Sequence, residues 1–330
     1  MSKDMMAAFE LFQPDSVDSA VDLLREAGQG GWALAGGNDS FDWFKDRIKR
    51  PETVVDLGSL DELRGIHELP DGGIEIGALT TLTDVENNAL VRDRYSLLAE
   101  AVSRVASPQI RNVGTLGGNL CQDTRCWYYR YGLDCYRAGG DSCFADSPQG
   151  QNREHCLWGA DRCVAVSPSD TAPAMVVLDA RMVVRNANGE REVSAEEFFV
   201  GPDIDIENMT ILEPGDVLTA VRIPADWAGS RFYFEKVADR NTWDFALVSI
   251  AAAMVVSGDT IDRVRIAAGA VQCVPRRLEA VEDAVTGQSK NEATASVAGQ
   301  SAVRGATTLN FNHFKIPLLQ NLVTRAIRDA

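Results

Sequence analysis

Six of the seven cysteines in this 330-residue chain fall between Cys121 and Cys163, and only Cys273 lies elsewhere. The segment that carries them, about 121–165, is poor in aliphatic residues and rich in Gly, Asp, Arg and aromatics. It cannot build a core of its own. A loop that long inside a compact chain is expected to be functional or to be held by something. The rest of the chain must therefore form its core around an insertion that contributes little to it.

The spacing limits what could hold the loop. Eight residues separate Cys126 from Cys135, seven separate Cys135 from Cys143, and nineteen separate Cys143 from Cys163. No CxxC pair is present, which argues against a zinc ribbon or knuckle. The close-packed bacterial ferredoxin run is absent as well. An odd cysteine count excludes complete intrachain pairing, and disulfide frameworks belong mainly to small secreted domains. Irregular spacing on a long loop still permits a 4Fe–4S cluster, because a wrapping loop can deliver four thiolates from four directions. Binding would then offset the chain entropy lost on ordering. Spacing leaves three readings open: an iron–sulfur cluster, a zinc site, and free or disulfide-bonded thiols.

The whole chain sets further bounds. Its length allows two or three domains with ample core, and 45% hydrophobic and 24% charged residues are ordinary for a globular protein. With 48 acids against 32 bases the net charge is −16. Such a chain repels nucleic acid and anionic lipid, so neither is an expected partner. No tract is long enough for a membrane helix. The start, MSKDMMAAFELFQPDS, lacks a signal peptide's apolar centre. A cytoplasmic location is expected, with export requiring a partner's signal.

Along the chain, Val17, Ala20, Val21 and Leu24 recur at helical spacing after a cap at Asp15 or Ser16. A short strand, WALA, runs into Gly36-Gly37-Asn38, a helix SFDWFKDRIK follows, and Thr53–Leu57 reads as a buried strand. GIEIGAL alternates as a strand does. Helices are expected near 82–88 and 95–106, the second broken by Pro108. After the cysteine segment come a helical turn, a strand, an Asn-Gly hairpin, a second strand, and a third strand in VLTAVRIP. RFYFEKV, ALVSIAAAMVV and VRIAAGAV are rich in β-formers, and the tail beyond Pro275 reads as helix, with Val281, Ala284 and Val285 apolar along it.

Two glycine pairs stand out, Gly36-Gly37 and Gly117-Gly118, each after an apolar stretch. Without a Cβ, successive backbone N–H groups can approach an anion such as a pyrophosphate. Either pair alone is equally an ordinary tight turn. Neither forms GxGxxG, and there is no Walker loop. In FEKVADRNTWDFALVS a strand delivers Lys236, and Trp243 and Phe245 open the next apolar stretch. An aromatic there could cover a flat ring or close a core. His67, His155 and His313 form no motif.

Taken together, AGGNDSFDWFK, IRNVGTLGGNL, SPSDTAPAMVVLDA, PGDVLTAVRIP and FEKVADRNTWDFALVSIAAA resemble, in order and over essentially the whole chain, the FAD-binding (middle) subunit of the xanthine dehydrogenase family of molybdenum hydroxylases. NLCQDTRCWYY and NREHCLWGADRCVAVSPSD are similar to the subset whose inserted loop binds an extra 4Fe–4S cluster. That subset includes 4-hydroxybenzoyl-CoA reductase β subunits and FAD subunits of bacterial aromatic aldehyde oxidoreductases. The resemblance implies an α+β fold: a vanillyl-alcohol-oxidase-type FAD-binding domain of two α/β subdomains (1–60 and 61–225, the second carrying the loop) and an α+β C-terminal domain (226–330). It implies cluster ligands Cys126, Cys135, Cys143 and Cys163, with Cys121 and Cys156 as bystanders. It implies FAD contacts from Ala35, Gly36, Gly37, Asn38, Asp39 and Ser40, where Asn38 replaces the family's usual Thr. Thr115, Gly118, Asn119, Asp170, Lys236 and Trp243 would complete the set, Trp243 standing where the family often has Tyr or Phe.

The implied function is electron transfer. Substrate chemistry would take place at a molybdenum cofactor on a large subunit, and a small subunit with 2Fe–2S clusters would exchange electrons with the FAD. The extra cluster would serve an external donor or acceptor such as a ferredoxin. No general base is then needed in this chain. Aromatic aldehydes, aromatic CoA thioesters and N-heterocycles are the substrate classes. The alternatives are a stand-alone FAD-dependent oxidase or dehydrogenase with a structural cysteine loop, and a non-enzymatic metal scaffold.

Overall fold

A computed structural model of the chain describes residues 5–330, which build three sheets. The first is parallel, with Thr53–Asp56 between Glu10–Phe12 and Gly31–Leu34. The helix Val17–Ala27 covers it. Ser16 caps that helix by accepting from the Ser19 N–H, and Gly28, at φ 56°, ends it. Its buried stripe of Val17, Ala20, Val21 and Leu24 packs on Val55, Leu57, Leu60 and Leu63, as the spacing predicts. The strand Glu10–Phe12 has no sequence signal, and all three of its residues are exposed.

The second sheet is antiparallel, in the order Ile66–Glu68, Ile74–Gly77, Val217–Ile223, Arg181–Asn186, Gly189–Ser194. The chain leaves it at Gly77 and re-enters at Arg181. Everything between is helix and loop, including the cysteine segment. The expected helices are Leu82–Asn87 and Ser96–Ser103, with an unexpected Ala89–Arg94 between them. The second helix stops before Pro108. Pro108 instead opens a new helical turn, Pro108–Arg111, behind the Ser107 cap, the position where its missing N–H costs nothing.

The third sheet is antiparallel, with Arg231–Val237, Val248–Ser257, Thr260–Gly269 and the short Arg276–Arg277 in sequence order. Residues on Val248–Ser257 alternate between two cores. Ile250, Ala252 and Met254 face the helices Glu279–Val285, Glu292–Ala302 and Lys315–Asp329. Ala251 and Ala253, with Ala267, face the helix Ala172–Val177 and the core of the second sheet. Small side chains on that face let the sheet approach closely: a Cβ on Gly269 would stand 2.9 Å from Pro173 Cγ. This junction fixes the C-terminal sheet against the segment that carries Asp170.

The cysteine segment has only the helical turns Trp127–Arg130 and Tyr136–Ala138. Its apolar contacts come from its neighbours. Tyr129 and Cys135 join Leu34, Trp43, Phe44 and Val54 beside the first sheet. Cys163 packs with Met209 and Cys273, and Leu157 and Trp158 join the core of the C-terminal sheet.

Candidate functional site

The two glycine turns meet. A Cβ on Gly36 would lie 2.2 Å from the Val113 carbonyl oxygen, and one on Gly117 would lie 2.8 Å from the Ala78 Cβ. The first glycine of each pair is therefore required for backbone-to-backbone packing. Asn38 Nδ2 donates to the Ile110 carbonyl at 3.4 Å, so Ala35–Ser40 and the 110–118 stretch form one cradle. The two turns differ in what they leave free. Leu116, Gly117, Gly118 and Asn119 donate their N–H groups to Thr80 O, Ala78 O, Thr115 Oγ1 and Thr115 O. Among the described residues, the N–H groups of Gly36, Gly37, Asn38 and Asp39 have no protein acceptor. Consecutive free N–H groups around Gly37, itself at φ 77°, make an anion-binding concavity. The first turn thus fits a pyrophosphate, whereas the second is engaged internally, with Gly118 exposed to solvent.

Asn119 ties the cradle to the Asp170 segment. Its Oδ1 accepts from Ser169 Oγ at 2.8 Å and from Thr171 Oγ1 at 2.6 Å, all three residues being buried. Asp170 is paired at 2.6 Å with Lys236 Nζ, which also donates to Arg104 O at 2.9 Å. Both side chains are almost fully buried. Burial pushes the Asp170 carboxyl up to about 6, against the opposing pull of Lys236. Lys236 is thus committed to Asp170. Trp243 is 60% exposed, at φ 75°, and its N–H donates to Ala106 O at 2.7 Å. Positive φ is strained for a bulky side chain and occurs mostly at constrained turns and functional sites.

A cleft of about 510 Å³, open to solvent, runs from Asp170 and Ser169 to Thr124, Cys126 and His155, with Phe245 and Ser249 on its C-terminal wall. Asp170 and Cys126 are the only sequence-predicted site residues that line it. Of the two aromatics after Lys236, Phe245 and not Trp243 lines it, and His155 and Ser249 carry no sequence signal for this place. Asp39 joins the first turn to the cysteine segment, accepting at 2.6 Å from both Arg125 and Arg130. Arg125 lies over the Phe245 ring at 4.7 Å.

The four expected ligands, Cys126, Cys135, Cys143 and Cys163, line one small, partly open pocket together with Arg137. Cys121 is exposed at the end of the helix Leu116–Leu120, and Cys156 packs with Ala145 and Val164. Neither lines the cavity. Arg137 is buried; its Nη1 donates to Glu207 O at 2.9 Å and pairs with Asp123 at 3.4 Å, while among the described residues its Nε and Nη2 have no hydrogen-bond partner. A buried, partly unpaired cation beside thiols fits a site that holds negative charge. The neighbouring Cys273, with the nearby Arg137 charge, brings the Cys163 thiol down to about 6 against burial, and the Cys273 S–H itself donates to Ala165 O at 3.0 Å. Burial raises Cys126 to about 12. Cys273, 110 residues from Cys163 in sequence, was not expected here. Among the described residues, no group of three or more His, Cys, Asp or Glu side chains is arranged to hold a metal ion.

Residues 7–226 match the family described as the FAD binding domain in molybdopterin dehydrogenase, and residues 233–330 match the CO dehydrogenase flavoprotein C-terminal domain. The chain belongs to this molybdenum hydroxylase flavoprotein family. It is 36% identical over 253 residues to the aldehyde oxidoreductase FAD-binding subunit PaoB of Escherichia coli, covering 76% of this chain and 77% of that one. It is 30% identical over 296 residues to the carbon monoxide dehydrogenase medium chain of Hydrogenophaga pseudoflava, covering 89% and 86%. A solved carbon monoxide dehydrogenase from Hydrogenophaga pseudoflava, lacking the Mo-pyranopterin moiety of its cofactor, superposes with a TM-score of 0.77 at 29% identity over 98% of this chain and 97% of that one. The FAD-binding subunit is therefore an α+β oxidoreductase subunit with an FAD-binding domain and a C-terminal flavoprotein domain. Among its described residues no helix is long and apolar enough to cross a membrane.

Proposed function

We propose that this FAD-binding subunit carries one 4Fe–4S cluster, on Cys126, Cys135, Cys143 and Cys163, and works as an electron-transfer subunit. Its electrons pass between the 2Fe–2S clusters of a small subunit and an external carrier such as a ferredoxin. The organic substrate reacts on a large molybdenum-cofactor subunit. The observation that carries the reading is the shared cavity of four cysteines around a buried, partly unpaired Arg137. One zinc ion would draw its thiolates to about 3.8 Å from one another, given bonds of about 2.3 Å in a tetrahedron. The cysteines share a pocket but, among the described residues, do not converge in that way, so the choice of an iron–sulfur cluster over zinc rests on the resemblance of the loop to the cluster-binding subset.

FAD, when bound, supplies the exchange between one-electron and two-electron carriers. The chain's own residues hold and orient it. The free N–H groups from Gly36 to Asp39 would bind its pyrophosphate, with Ala35 and Ser40 flanking them and Thr115, Gly118 and Asn119 forming the facing wall. Asp170 would meet polar groups of the flavin end, positioned by Lys236. Trp243 would cover the ring from the solvent side. The match to an aldehyde oxidoreductase subunit supports an aldehyde among the possible substrates of the large subunit.

The test is isolation of the tagged chain, without oxygen, from its own cells. A large chain containing molybdenum and a small chain containing 2Fe–2S clusters should co-purify in equal amounts. A chain isolated alone that oxidises an organic substrate with its own flavin would establish the stand-alone oxidase instead.

A further inference from the structure

Cys126 lines both the cleft and the cysteine cavity, so it stands in the wall between them. His155 lies against it, with Nε2 3.3 Å from Cys126 Sγ. The residue is 5% exposed, and among the described residues its Nδ1 has no partner. A buried N–H without an acceptor costs more than a bare ring lone pair, since the donor forfeits its bond to water. The arrangement therefore favours the tautomer with the hydrogen on Nε2, aimed at the sulfur.

The backbone around this histidine is held from the C-terminal domain. Asn312 Nδ2 donates to the carbonyls of His155 at 3.1 Å and Cys156 at 2.9 Å. Lys315 Nζ, fully buried, donates to Glu154 O at 2.9 Å and Ala270 O at 2.7 Å. Three consecutive loop carbonyls are thus fixed by two side chains at the start of the last helix. On the other side, the Cys126 N–H donates to Thr124 Oγ1 at 3.3 Å, and Thr124 is itself buried. Both partners of the His155–Cys126 contact are held in place, although neither belongs to a regular sheet.

We propose that His155 is a positioning residue that donates a hydrogen bond to the Cys126 sulfur, sets the reduction potential of the cluster, and does so at the ligand nearest the cleft. The inference rests on the cluster reading above. Hydrogen bonds to ligand sulfurs are among the determinants of cluster potential, and partners behind a ligand tune its basicity. A donor on the sulfur stabilises the more negative, reduced form and raises the potential. No proton leaves the ring in this role. The wall that separates the cleft from the cysteine cavity is then also the place where the driving force between the two is set.

The experiment uses the complex purified without oxygen, first wild type and then His155→Leu and His155→Gln. Iron, sulfide and FAD are counted, and the cluster midpoint is read by redox titration with electron paramagnetic resonance. In His155→Leu the midpoint should fall so that the reduced-to-oxidised ratio at a fixed potential drops about tenfold, about 59 mV for a one-electron couple. His155→Gln, which keeps a donor, should recover most of that change at unchanged FAD content. A full cluster whose midpoint is unmoved in the Leu variant overturns the proposal. If the Leu variant is isolated without iron, the Gln variant decides: a full cluster with a near wild-type midpoint supports the donor role, and iron lost from both overturns it. Wild-type protein with FAD and no iron overturns the cluster reading itself, and is seen before any variant is made.

Discussion

The glycine cradle and the cysteine segment lie side by side and are held by opposite means. In the cradle, backbone meets backbone. Gly36 packs against the Val113 carbonyl, and Gly117 against the Cβ and carbonyl oxygen of Ala78. The cysteine segment is held by side chains reaching across long sequence distances. Asp39 holds Arg125 and Arg130, Arg153 pairs with Asp239, and Asn312 and Lys315 hold the carbonyls of 154–156. Its apolar residues are divided among several neighbouring cores. The segment, ordered by these side-chain contacts, encloses four thiols and an arginine whose Nε and Nη2 are free among the described residues.

That contrast can be broken at several points. The largest effect is expected at the junction of the two halves of the molecule. Lys236→Met leaves the Asp170 carboxylate buried and unpaired, and removing one partner of a buried pair costs about 3–5 kcal/mol. Thermal unfolding should show it directly, and an unchanged transition would mean that water reaches Asp170.

Asp170 should also give an inverted pH dependence. Its folded value, about 6, is above its ordinary 3.8. The native state therefore binds the proton more tightly than the unfolded chain. This group's share of stability is present below about 3.8 and is lost as pH rises through about 6, a change of up to about 3 kcal/mol. Subtracting the pH profile of Asp170→Asn from that of wild type should isolate this slope, and identical profiles would show that the carboxyl is not displaced.

Gly36→Ala should cost about 1–3 kcal/mol, the usual range for overpacking, because the new methyl meets a carbonyl oxygen rather than a movable side chain. It should also weaken FAD retention on gel filtration, while iron content stays the same. Equal loss of both cofactors would mean that cradle and segment order together. The smallest effect belongs to Cys121→Ser, within about 0.5 kcal/mol and with full iron content, because that cysteine is exposed and outside the cavity.

Legibility in the sequence follows the same divide. The helix Val17–Ala27 and the strands Gly31–Leu34, Thr53–Asp56 and Val248–Ser257 can be read because periodicity and caps are local signals. The strands Glu10–Phe12 and Ile66–Glu68 are too short and too exposed to carry one. Pro108 misleads because a helix breaker and a first-turn proline look alike until the preceding Ser107 is seen to cap. Within the site, the glycine pairs and the four cysteines are visible as residue types, but their partners are not. Cys273 reaches Cys163 from the connection between the strands Thr260–Gly269 and Arg276–Arg277, and His155 meets Cys126 across two loops without any repeat to announce it. The Asp170–Lys236 pair was two separate candidates until packing joined them. Nor does the glycine pattern distinguish the turn with free N–H groups from the one whose N–H groups are engaged.

The most direct test is a count of iron, acid-labile sulfide, zinc and FAD per chain in protein purified without oxygen, for wild type, Cys163→Ser and Cys121→Ser. About four iron, four sulfide and one FAD, the stoichiometry of a four-cysteine cubane on a flavoprotein, are predicted for wild type and Cys121→Ser, with iron lost and FAD retained in Cys163→Ser. FAD without iron in wild-type protein, or iron unaffected by loss of Cys163, would contradict a cluster held by these four cysteines.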